Sequence, residues 1–494
     1  MSAILAALML TSTLVSCNGD PADPTETTEV QDSIPGTETV NAETLRADAK
    51  DNLPADFSMN GKTVVISAQA GNIRQIDVDG YGEEIGDVVY DAVYKRTRSV
   101  AERLKADIQV SEMKIGYKDY GAFLGQNVLA GDDFAQIVSA TSNASIGCGL
   151  NYIFHNLQDN KYLDFDQPWW WTEAMMEVTL DNKNVKYLIG DIQLSSYYFS
   201  GAMFFNKKLA ADNGISEEEI YQTVLDRKWT YDTLREMAIK MYRDVDGDGA
   251  VSEADTLGMY LDTFEYVKFM EYGTDVRRYR RDENGYPVMD YDLERADRTF
   301  VKLNELLNET KGILYMKVYS RKYDRFVEGR SGFYGGLLGD AMSASIRVME
   351  EPYGILPYPM LDEEQSEYET IIHPSGAFYA IPITCKNADE MGAVLEAMCS
   401  ESYRSVIEPF FETALKAKYS HDSQSGQCID IIRKVAVKNF LVDYTNLGGG
   451  GFLIGYSINS GVNNVASDHA VHQPKTNQKI QDMIRDYQSR ETVD

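Results

Sequence analysis

The sequence predicts an α/β protein built of two lobes, and three observations support this fold class. Strand-like and helix-like segments alternate between residues 62 and 140, as they do in parallel sheets covered by helices. A similar alternation begins again near residue 201, and short apolar strands return after residue 330. Each lobe therefore combines two separated stretches of chain. The predicted bounds are 58–200 with 336–377 for the first lobe and 201–335 with 378–494 for the second.

The first lobe opens with a β-branched run of strand length at residues 62–68. Residues 87–105 then place valine and leucine at helical spacing, with basic side chains between them. Two further strands are predicted at 106–111 and 134–140. Ligands of such sheets bind beyond the carboxyl ends of the strands, so we expect short polar side chains there to contact a ligand. These residues are Gln69, Thr141, Ser142 and Asn143.

In the second lobe, one predicted helix begins at Thr230 and another apolar face runs from Leu293 to Leu307. Residues 277–288 are typical of a β-hairpin, because Asn-Gly at 284–285 is the strongest short hairpin signal. The hairpin carries four arginines, which we predict to form a solvated face. They are Arg277, Arg278, Arg280 and Arg281.

Composition excludes several classes of function. The 494 residues include 77 acidic and 47 basic side chains, which gives a formal charge of −30. So acidic a surface repels phosphate, and nucleic acids and anionic lipid headgroups are not expected partners. No apolar run reaches the roughly 20 residues that span a bilayer. Five cysteines are too few for a disulfide scaffold.

The first sixteen residues are predicted to be a signal peptide, because residues 3–16 are apolar and then small, and too few for a spanning helix. The run ends in Leu14-Val-Ser-Cys17, which resembles the bacterial lipobox. That resemblance implies cleavage before Cys17 and a diacylglyceryl group on its thiol, whose two acyl chains give stable anchoring. The alternative is a buried cysteine behind an ordinary apolar helix.

Residues 17–57 are predicted to be a lipid-anchored, disordered acidic linker. The stretch is rich in Thr, Glu, Asp and Pro, with ten acidic residues against two basic ones. It cannot bury enough apolar surface to offset its ordering entropy, so we expect an extended tether. An anchor, a tether and a globular part together indicate display at a membrane surface.

An acidic loop between Asp244 and Asp255 matches the spacing of an EF-hand-type calcium loop, with Gly249 at the sharp turn. The predicted ligands are Asp244, Asp246, Asp248, the carbonyl of Ala250, Ser252 and Asp255. The last position is Asp rather than Glu, which weakens bidentate closure. We predict one structural Ca²⁺; the alternative is an acidic, glycine-rich turn without metal.

The sequence contains only weak candidates for catalysis, and an acid/base pair among its 77 carboxylates is the alternative that stays open. It has no GxSxG elbow, no GxxxxGK[ST] loop and no HExxH pattern. Cys148, Cys385, Cys399 and Cys428 have no metal-ligand spacing and are predicted to be buried thiols, with a disulfide as the alternative. We therefore expect a protein that is not an enzyme.

Several motifs together resemble one family. They are the lipobox at Cys17, Tyr90-Asp-Ala-Val-Tyr94 with Arg96, Asp166-Gln-Pro-Trp-Trp170, Phe205-Asn-Lys-Lys208, Lys228-Trp-Thr230 and the Asp-Gly loop. In this order they are similar to the extracellular solute-binding lipoproteins of ABC importers, carbohydrate-type branch. The resemblance implies the type II periplasmic-binding-protein fold, with chain crossings near residues 200, 335 and 378. Its two lobes would close on a ligand in an interlobe cleft.

Aromatic side chains are candidates for that cleft, because their faces suit the C–H-rich faces of sugar rings. Three of them are consecutive tryptophans, and three are tyrosines close to the implied crossings. The candidates are Trp169, Trp170, Trp171, Tyr197, Tyr198 and Tyr334. The alternative for each is packing in the core or between the lobes.

The resemblance implies the substrate-binding component of an ABC importer. We expect an extracytoplasmic, lipid-anchored monomer that captures a solute of the carbohydrate class and delivers it to membrane permease subunits. Two other functions share the observed features. A secreted carbohydrate-active enzyme would have the aromatics and the calcium together with two carboxylates in a cleft. A surface adhesion protein would have no deep cleft.

Overall fold

The structure of the chain, a computed structural model, describes residues 46–69, 72–142, 146, 151–318, 323–416, 423–444, 447–448 and 450–491. The predicted signal peptide, Cys17 and most of the linker lie outside these residues. Two main β-sheets form, each covered by helices, and this confirms the predicted two-lobe α/β class. No helix among the described residues is both long and apolar enough to cross a membrane.

The strands lie close to the predicted positions. They are β1 Thr63–Gln69, β2 Asp107–Met113, β3 Ile137–Thr141, β4 Gly201–Asn206, β5 Leu257–Thr263, β6 Tyr279–Arg281, β7 Pro287–Met289, β8 Ile313–Val318, β9 Ser331–Leu337, β10 Tyr353–Leu356, β11 Thr370–Ile371, β12 Ala377–Ala380 and β13 Ala436–Val437.

Helices connect and cover these strands. They are α1 Asn72–Asp79, α2 Val88–Leu104, α3 Tyr117–Leu129, α4 Thr172–Glu177, α5 Leu194–Tyr198, α6 Lys207–Asp212, α7 Glu217–Leu225, α8 Tyr231–Met241, α9 Phe264–Tyr272, α10 Leu293–Asn304, α11 Asp324–Val327, α12 Ala344–Arg347, α13 Ala388–Ser405, α14 Ile407–Lys416, α15 Ser423–Val435, α16 Phe440–Asp443, α17 Leu453–Ser460 and α18 Val465–Glu491. Short 3₁₀ turns lie at Asn151–Ile153 and Leu338–Met342, and a π-helical turn at Glu305–Glu309.

The first lobe is built on a four-stranded sheet of order β12-β3-β1-β2. Strand β1 pairs in parallel with β2 and β3, while β12 is antiparallel at one edge. Helix α2 packs its buried face over this sheet, and it begins where the Asp87 carboxylate accepts the N–H groups of Val89 and Tyr90. The carboxyl ends of β1 and β3 therefore lie at one edge of the sheet, as the sequence predicted.

The second lobe is built on a five-stranded sheet of order β10-β4-β9-β5-β8. Strand β4 is buried along its whole length between β10 and β9, and both neighbours are antiparallel to it. Helices α8 and α9 flank β5, and α10 and α17 pack beyond α9. The hairpin of β6 and β7 joins this lobe through α18, since Asn477 accepts the N–H of Met289 at 2.7 Å.

The chain passes between the two sheets at residues 198–201 and 372–377, here called the crossing segments. They run side by side, because Ser200 and Ile372 form an antiparallel bridge and the N–H of His373 donates to the carbonyl of Phe199 at 2.9 Å. These positions agree with the crossings implied near 200 and 378. Near 335 the chain does not cross, because β9 ends at Leu337, the following turn packs on α5, and β10 rejoins the second sheet.

The later strands belong to the lobes opposite to those predicted. Strand β10, within the 336–377 stretch assigned to the first lobe, pairs with β4 of the second sheet. Strand β12 and helix α13, assigned by the 378–494 stretch to the second lobe, pack on β3 and α2 of the first. The local pattern identifies a strand, but its partner is chosen by hydrogen-bonding edges formed by distant segments, so the sequence allocation was wrong here.

Candidate functional site

The strand ends of the first sheet bring two of the predicted residues together. Oε1 of Gln69, the last residue of β1, accepts the N–H of Thr141 at 3.2 Å and its hydroxyl at 3.1 Å. Both side chains are buried, and Nε2 of Gln69 has no hydrogen-bond partner within the described parts of the chain. Asn143 lies outside the described residues. This edge thus holds a buried amide whose donor side is unsatisfied, which is costly unless something else pairs with it.

Ser142 leads to a residue that the sequence analysis missed. Its Oγ lies 3.3 Å from Nζ of Lys438, a buried lysine whose ammonium also faces the carbonyl of His373 at 3.4 Å and the carboxylate of Asp443 at 3.4 Å. Burial lowers the pKa of Lys438, and Asp443 opposes that shift. One lysine therefore connects the first sheet to a crossing segment. Its signal in the sequence was a single charge inside the apolar stretch 435–442.

A cavity of about 170 Å³ lies against the second crossing segment. Its walls come from α9, from the segment that contains β11 and from the C-terminal part of the chain. The lining residues are Glu265, Lys268, Phe269, Ile371, His373, Pro374, Val442 and Phe452. This volume is below the roughly 300–1,000 Å³ of typical ligand pockets, so it accommodates a small solute or one end of a larger one.

Charge is concentrated on one wall of this cavity. Glu265 pairs with Lys268 at 2.9 Å and lies 3.7 Å from Nε2 of His373. Burial opposes ionisation of Glu265, but His373 and Lys268 outweigh it and bring its pKa to about 2. Nζ of Lys268 also lies 4.7 Å from the ring centre of Phe452. The carboxylate is therefore charged at any physiological pH and presents acceptor oxygens.

His373 has a defined orientation in this wall. Its Nδ1 accepts the N–H of Ser375 at 3.1 Å, which leaves the proton on Nε2, the nitrogen that faces Glu265. Burial lowers the pKa of His373, and Glu265 opposes that shift. The ring also stacks on Phe269, with centroids 6.3 Å apart. A neutral imidazole, an aromatic face and a carboxylate thus meet at a crossing segment.

The triple tryptophan is not part of an exposed wall. Trp169, Trp170 and Trp171 are 0%, 5% and 9% exposed. The indole N–H groups of Trp169 and Trp170 donate to the two oxygens of Glu396 at 3.0 and 2.8 Å, and that of Trp171 donates to Asp191 at 2.8 Å. These residues are packed in the core, which was the alternative to a place in the cleft. Each buried indole N–H needs an acceptor, and here a carboxylate supplies it.

The three predicted tyrosines have different surroundings. Tyr197 is buried, donates to Asp191 and accepts from Nε of Arg433 at 2.8 Å. Tyr334 is buried inside the second lobe, where its hydroxyl donates to Tyr266 at 3.1 Å. Tyr198 is half-buried at the first crossing segment and packs edge-to-face on Phe199. Only Tyr198 of these three has a partly accessible ring.

The acidic loop connects α8 to β5 and is closed by backbone bonds between Arg243 and Thr256. Asp244 accepts the N–H groups of Gly247 and Gly249, and Asp255 accepts those of Val245 and Ser252. Carboxylate oxygens of Asp244, Asp246 and Asp255 lie within 4.8 Å of one another. The loop thus converges three of the predicted ligands.

None of the predicted contact residues that the structure describes lines the cavity. Its residues come from three stretches of chain, near 265–269, 371–374 and 442–452, and each stretch alone reads as an ordinary helix, strand or loop. No short motif joins them. The cysteines behave as predicted where they are described, since Cys385, Cys399 and Cys428 are buried free thiols; Cys148 lies outside the described residues.

Comparison with known proteins identifies the fold. No protein-family model and no curated protein sequence matches the chain. Among solved structures, the chain is similar to the cyclic α-maltosyl-1,6-maltose binding protein from Arthrobacter globiformis, with 12% identity and a TM-score of 0.53 over 85% of this chain and 99% of that one. It is also similar to an ABC transporter solute-binding protein from Thermotoga lettingae bound with α-D-tagatose, with 12% identity and a TM-score of 0.51 over 85% and 100%.

A third similar structure is UgpB from Mycobacterium tuberculosis in complex with glycerophosphocholine, with 12% identity and a TM-score of 0.50 over 85% of this chain and 98% of that one. The likenesses extend over nearly the whole length of the compared proteins. At this identity they establish the two-lobe fold of solute-binding proteins, as the sequence resemblance implied.

Proposed function

We propose that this protein is the substrate-binding component of an ABC importer, and that it captures an extracellular solute and delivers it to a membrane permease. The observation that carries the proposal is the cavity against the crossing segment 372–377, within a fold of solute-binding proteins. In a hinged two-lobe protein, a ligand next to the crossings contacts the part of the chain that moves on closure.

A carbohydrate fits this cavity best. Glu265 offers charged acceptor oxygens, His373 a neutral ring nitrogen with its proton, and Phe269 and Phe452 apolar faces. Hydroxyl groups bind such acceptors and donors, and C–H-rich ring faces pack on aromatic rings. Sugars are the ligands named for two of the similar structures, whereas glycerophosphocholine is named for the third.

Binding rather than hydrolysis is the activity that we propose. A glycosidase needs a carboxylic acid that is protonated near neutral pH beside a second carboxylate. Glu265 is the one carboxylate among the described residues that line the cavity, and its pKa of about 2 keeps it ionised. It therefore cannot serve as the general acid, and its charge suits hydrogen bonding to a solute.

A thermal-shift screen over sugars, oligosaccharides, glycerophosphodiesters and peptides tests the proposal. We expect at least one sugar to raise the melting temperature of the wild type, because a solute that binds only the folded protein stabilises it. His373→Asn should abolish that shift, while His472→Asn, on α18 and outside the cavity lining, should keep it. A sugar shift that survives His373→Asn would place the solute elsewhere, and no shift with any sugar would contradict the carbohydrate assignment.

Membrane attachment through Cys17 is also proposed. The support is the sequence alone, in which the lipobox cysteine is followed by a long acidic tether. In a bacterial host, the mature protein should carry the mass of a diacylglyceryl group and partition with membranes. Cys17→Ser should release it into the soluble fraction, and a wild type without the lipid mass would contradict the anchor.

We further propose that one Ca²⁺ binds the acidic loop and stabilises the second lobe. The donor set fits, since carboxylates are the hard oxygen ligands that Ca²⁺ prefers and three of them converge. Millimolar Ca²⁺ should raise the melting temperature relative to EGTA, and Asp246→Asn should reduce the difference. Equal melting temperatures in Ca²⁺ and EGTA would refute the site.

A further inference from the structure

The β6–β7 hairpin of the second lobe reaches across to the first lobe. Nη2 of Arg281 donates to the carbonyls of Met176 at 2.9 Å, Thr179 at 3.0 Å and Glu177 at 3.3 Å. These carbonyls belong to the C-terminal end of α4 and the residues after it. This stretch is part of the first lobe, because the N–H of Trp171 donates to the carbonyl of Ile189 and Leu188 bridges to Tyr379 of β12. The prediction that the four hairpin arginines form one solvated face is therefore wrong, because Arg281 makes an interlobe contact.

Arg281 binds where α4 ends, because the carbonyl groups there are available as acceptors. The last carbonyls of a helix lack i+4 partners, and the helix dipole makes this end negative. In α4 the carbonyl of Met176 accepts the N–H and the hydroxyl of Thr179 and has a second lone pair for Arg281. A guanidinium satisfies several carbonyls at once because its donors are fixed in a planar fork. Next to it, the hydroxyl of Tyr279 donates to the carboxylate of Glu177.

The tip of the hairpin fits the first lobe closely. Gly285 has φ of +84°, and a Cβ placed there would lie 2.6 Å from the carbonyl oxygen of Asp181. The other arginines face elsewhere. Arg278 is buried within the second lobe against Glu271, whereas Arg280 is exposed and lies 3.5 Å from Asp290 of the same lobe.

One short segment connects this contact to the cavity. The ring of Phe440 lies 5.9 Å from that of Tyr279, on the second-lobe side. The hydroxyl of Tyr444 donates to the carbonyl of Val178 at 2.9 Å, on the first-lobe side. Between them, Val442 lines the cavity. A rearrangement of residues 440–444 would therefore change both the lining of the cavity and the interlobe contact.

We propose that Arg281 and Tyr279 form an interlobe clasp, which holds the second lobe on the end of α4 and keeps the cleft closed. The clasp acts on the equilibrium between the open and closed arrangements, and Arg281 is a positioning residue that need not touch the solute. Its effect on solute affinity rests on the proposed function, because a weaker clasp lowers the fraction of the binding-competent state. Its effect on the arrangement of the lobes does not.

Small-angle X-ray scattering of the full chain without solute tests the clasp directly. Arg281→Gln removes the charge and most of the fork, and Arg280→Gln is the matched control on the neighbouring, exposed arginine of the same strand. We expect a larger radius of gyration for Arg281→Gln than for the wild type, and no change for Arg280→Gln. Thermal melting in parallel establishes that both variants are folded.

A second, milder variant distinguishes loss of the clasp from a general loss of stability. Tyr279→Phe removes only the hydroxyl that contacts Glu177, and it should expand the protein in the same direction as Arg281→Gln. If Arg281→Gln lowers the melting temperature but both clasp variants keep the wild-type radius of gyration, the contact is merely structural and the clasp is refuted. Because no solute is present, this result is independent of whether the protein binds a carbohydrate.

Discussion

Two regions of the molecule combine aromatic rings with a carboxylate, and their properties are opposite. In the first lobe, Glu396 is buried under two indole N–H donors, and burial raises its pKa to about 7. Against the crossing segment, Glu265 is flanked by Lys268 and His373, and its pKa falls to about 2. The carboxylate of the first region is fully buried, whereas that of the second lines a cavity.

This difference shows that the charge of the neighbouring group determines the protonation state of a buried carboxylate. Neutral N–H donors stabilise the charged form only in part, so desolvation dominates at Glu396. A nearby ammonium group compensates the desolvation at Glu265 and leaves a charged acceptor on an accessible wall. Aromatic rings beside a carboxylate therefore do not identify a solute site by themselves, and the partner of the carboxylate is the more informative feature.

The largest expected effect tests whether the tryptophan region is structural. Trp170→Ala should lower the free energy of unfolding by about 3–5 kcal/mol, because it deletes a large buried ring and leaves a cavity. Urea denaturation measures this loss, and solute affinity of the folded protein should not change. As a control, Tyr81→Ala removes an aromatic ring that is 54% exposed and should cost far less. If Trp170→Ala weakened solute binding without lowering stability, Trp170 would be a solute contact and not a packing residue.

A pH series separates the two carboxylates by the sign of their effect. The pKa of Glu396 is raised from 4.5 to about 7, so its favourable contribution is complete below about pH 4.5 and is lost as pH rises through 7. The difference is about 3 kcal/mol at most. For Glu265 the contribution is present above about pH 4.5 and is lost as pH falls towards 2.

Urea denaturation between pH 5 and pH 8 should therefore show a decline in wild-type stability that Glu396→Gln lacks. Glu390→Gln, on the same helix but paired with Lys62 at the surface, is the matched control and should keep the wild-type slope. Identical slopes in the wild type and Glu396→Gln would mean that Glu396 is ionised in the folded protein throughout this range.

The cavity side of the comparison is tested by solute binding. Glu265→Gln should weaken binding of the sugar found in the screen by roughly ten- to a hundredfold, the effect of losing a charged hydrogen-bond acceptor of about 1.5–3 kcal/mol. Isothermal calorimetry measures the affinity. Glu294→Gln changes an exposed glutamate of α10 and should leave the affinity as it is. Equal affinities for both variants would remove Glu265 from the solute site.

The smallest expected effect concerns Tyr198, the partly accessible ring at the first crossing segment. Tyr198→Ala should weaken solute binding about fivefold, because a stacked ring contributes on the order of 1 kcal/mol. Tyr198→Phe keeps the ring and should retain most of the affinity. If calorimetry gives the same affinity for the wild type and Tyr198→Ala, solute recognition is confined to the cavity beyond this ring.

The elements and the two-lobe class could be predicted from the sequence because they follow from local patterns. A β-branched run identified β1, short apolar or alternating segments identified β2 and β3 within a few residues, and helical spacing identified α2. The Asp-Gly spacing likewise identified a loop in which three carboxylates converge. In each case the residues that determine the structure are neighbours in the chain.

Tertiary structure alone decided which parts meet. Strand β10 pairs with β4, which lies about 150 residues earlier, and Glu396 accepts from Trp169, which is 227 residues away. The cavity likewise joins Glu265, His373 and Phe452 from three distant stretches. Local sequence fixes the face that each element buries, but not its partner. The partner is selected by complementary shape and by the need to pair every buried polar group, which only the folded chain satisfies.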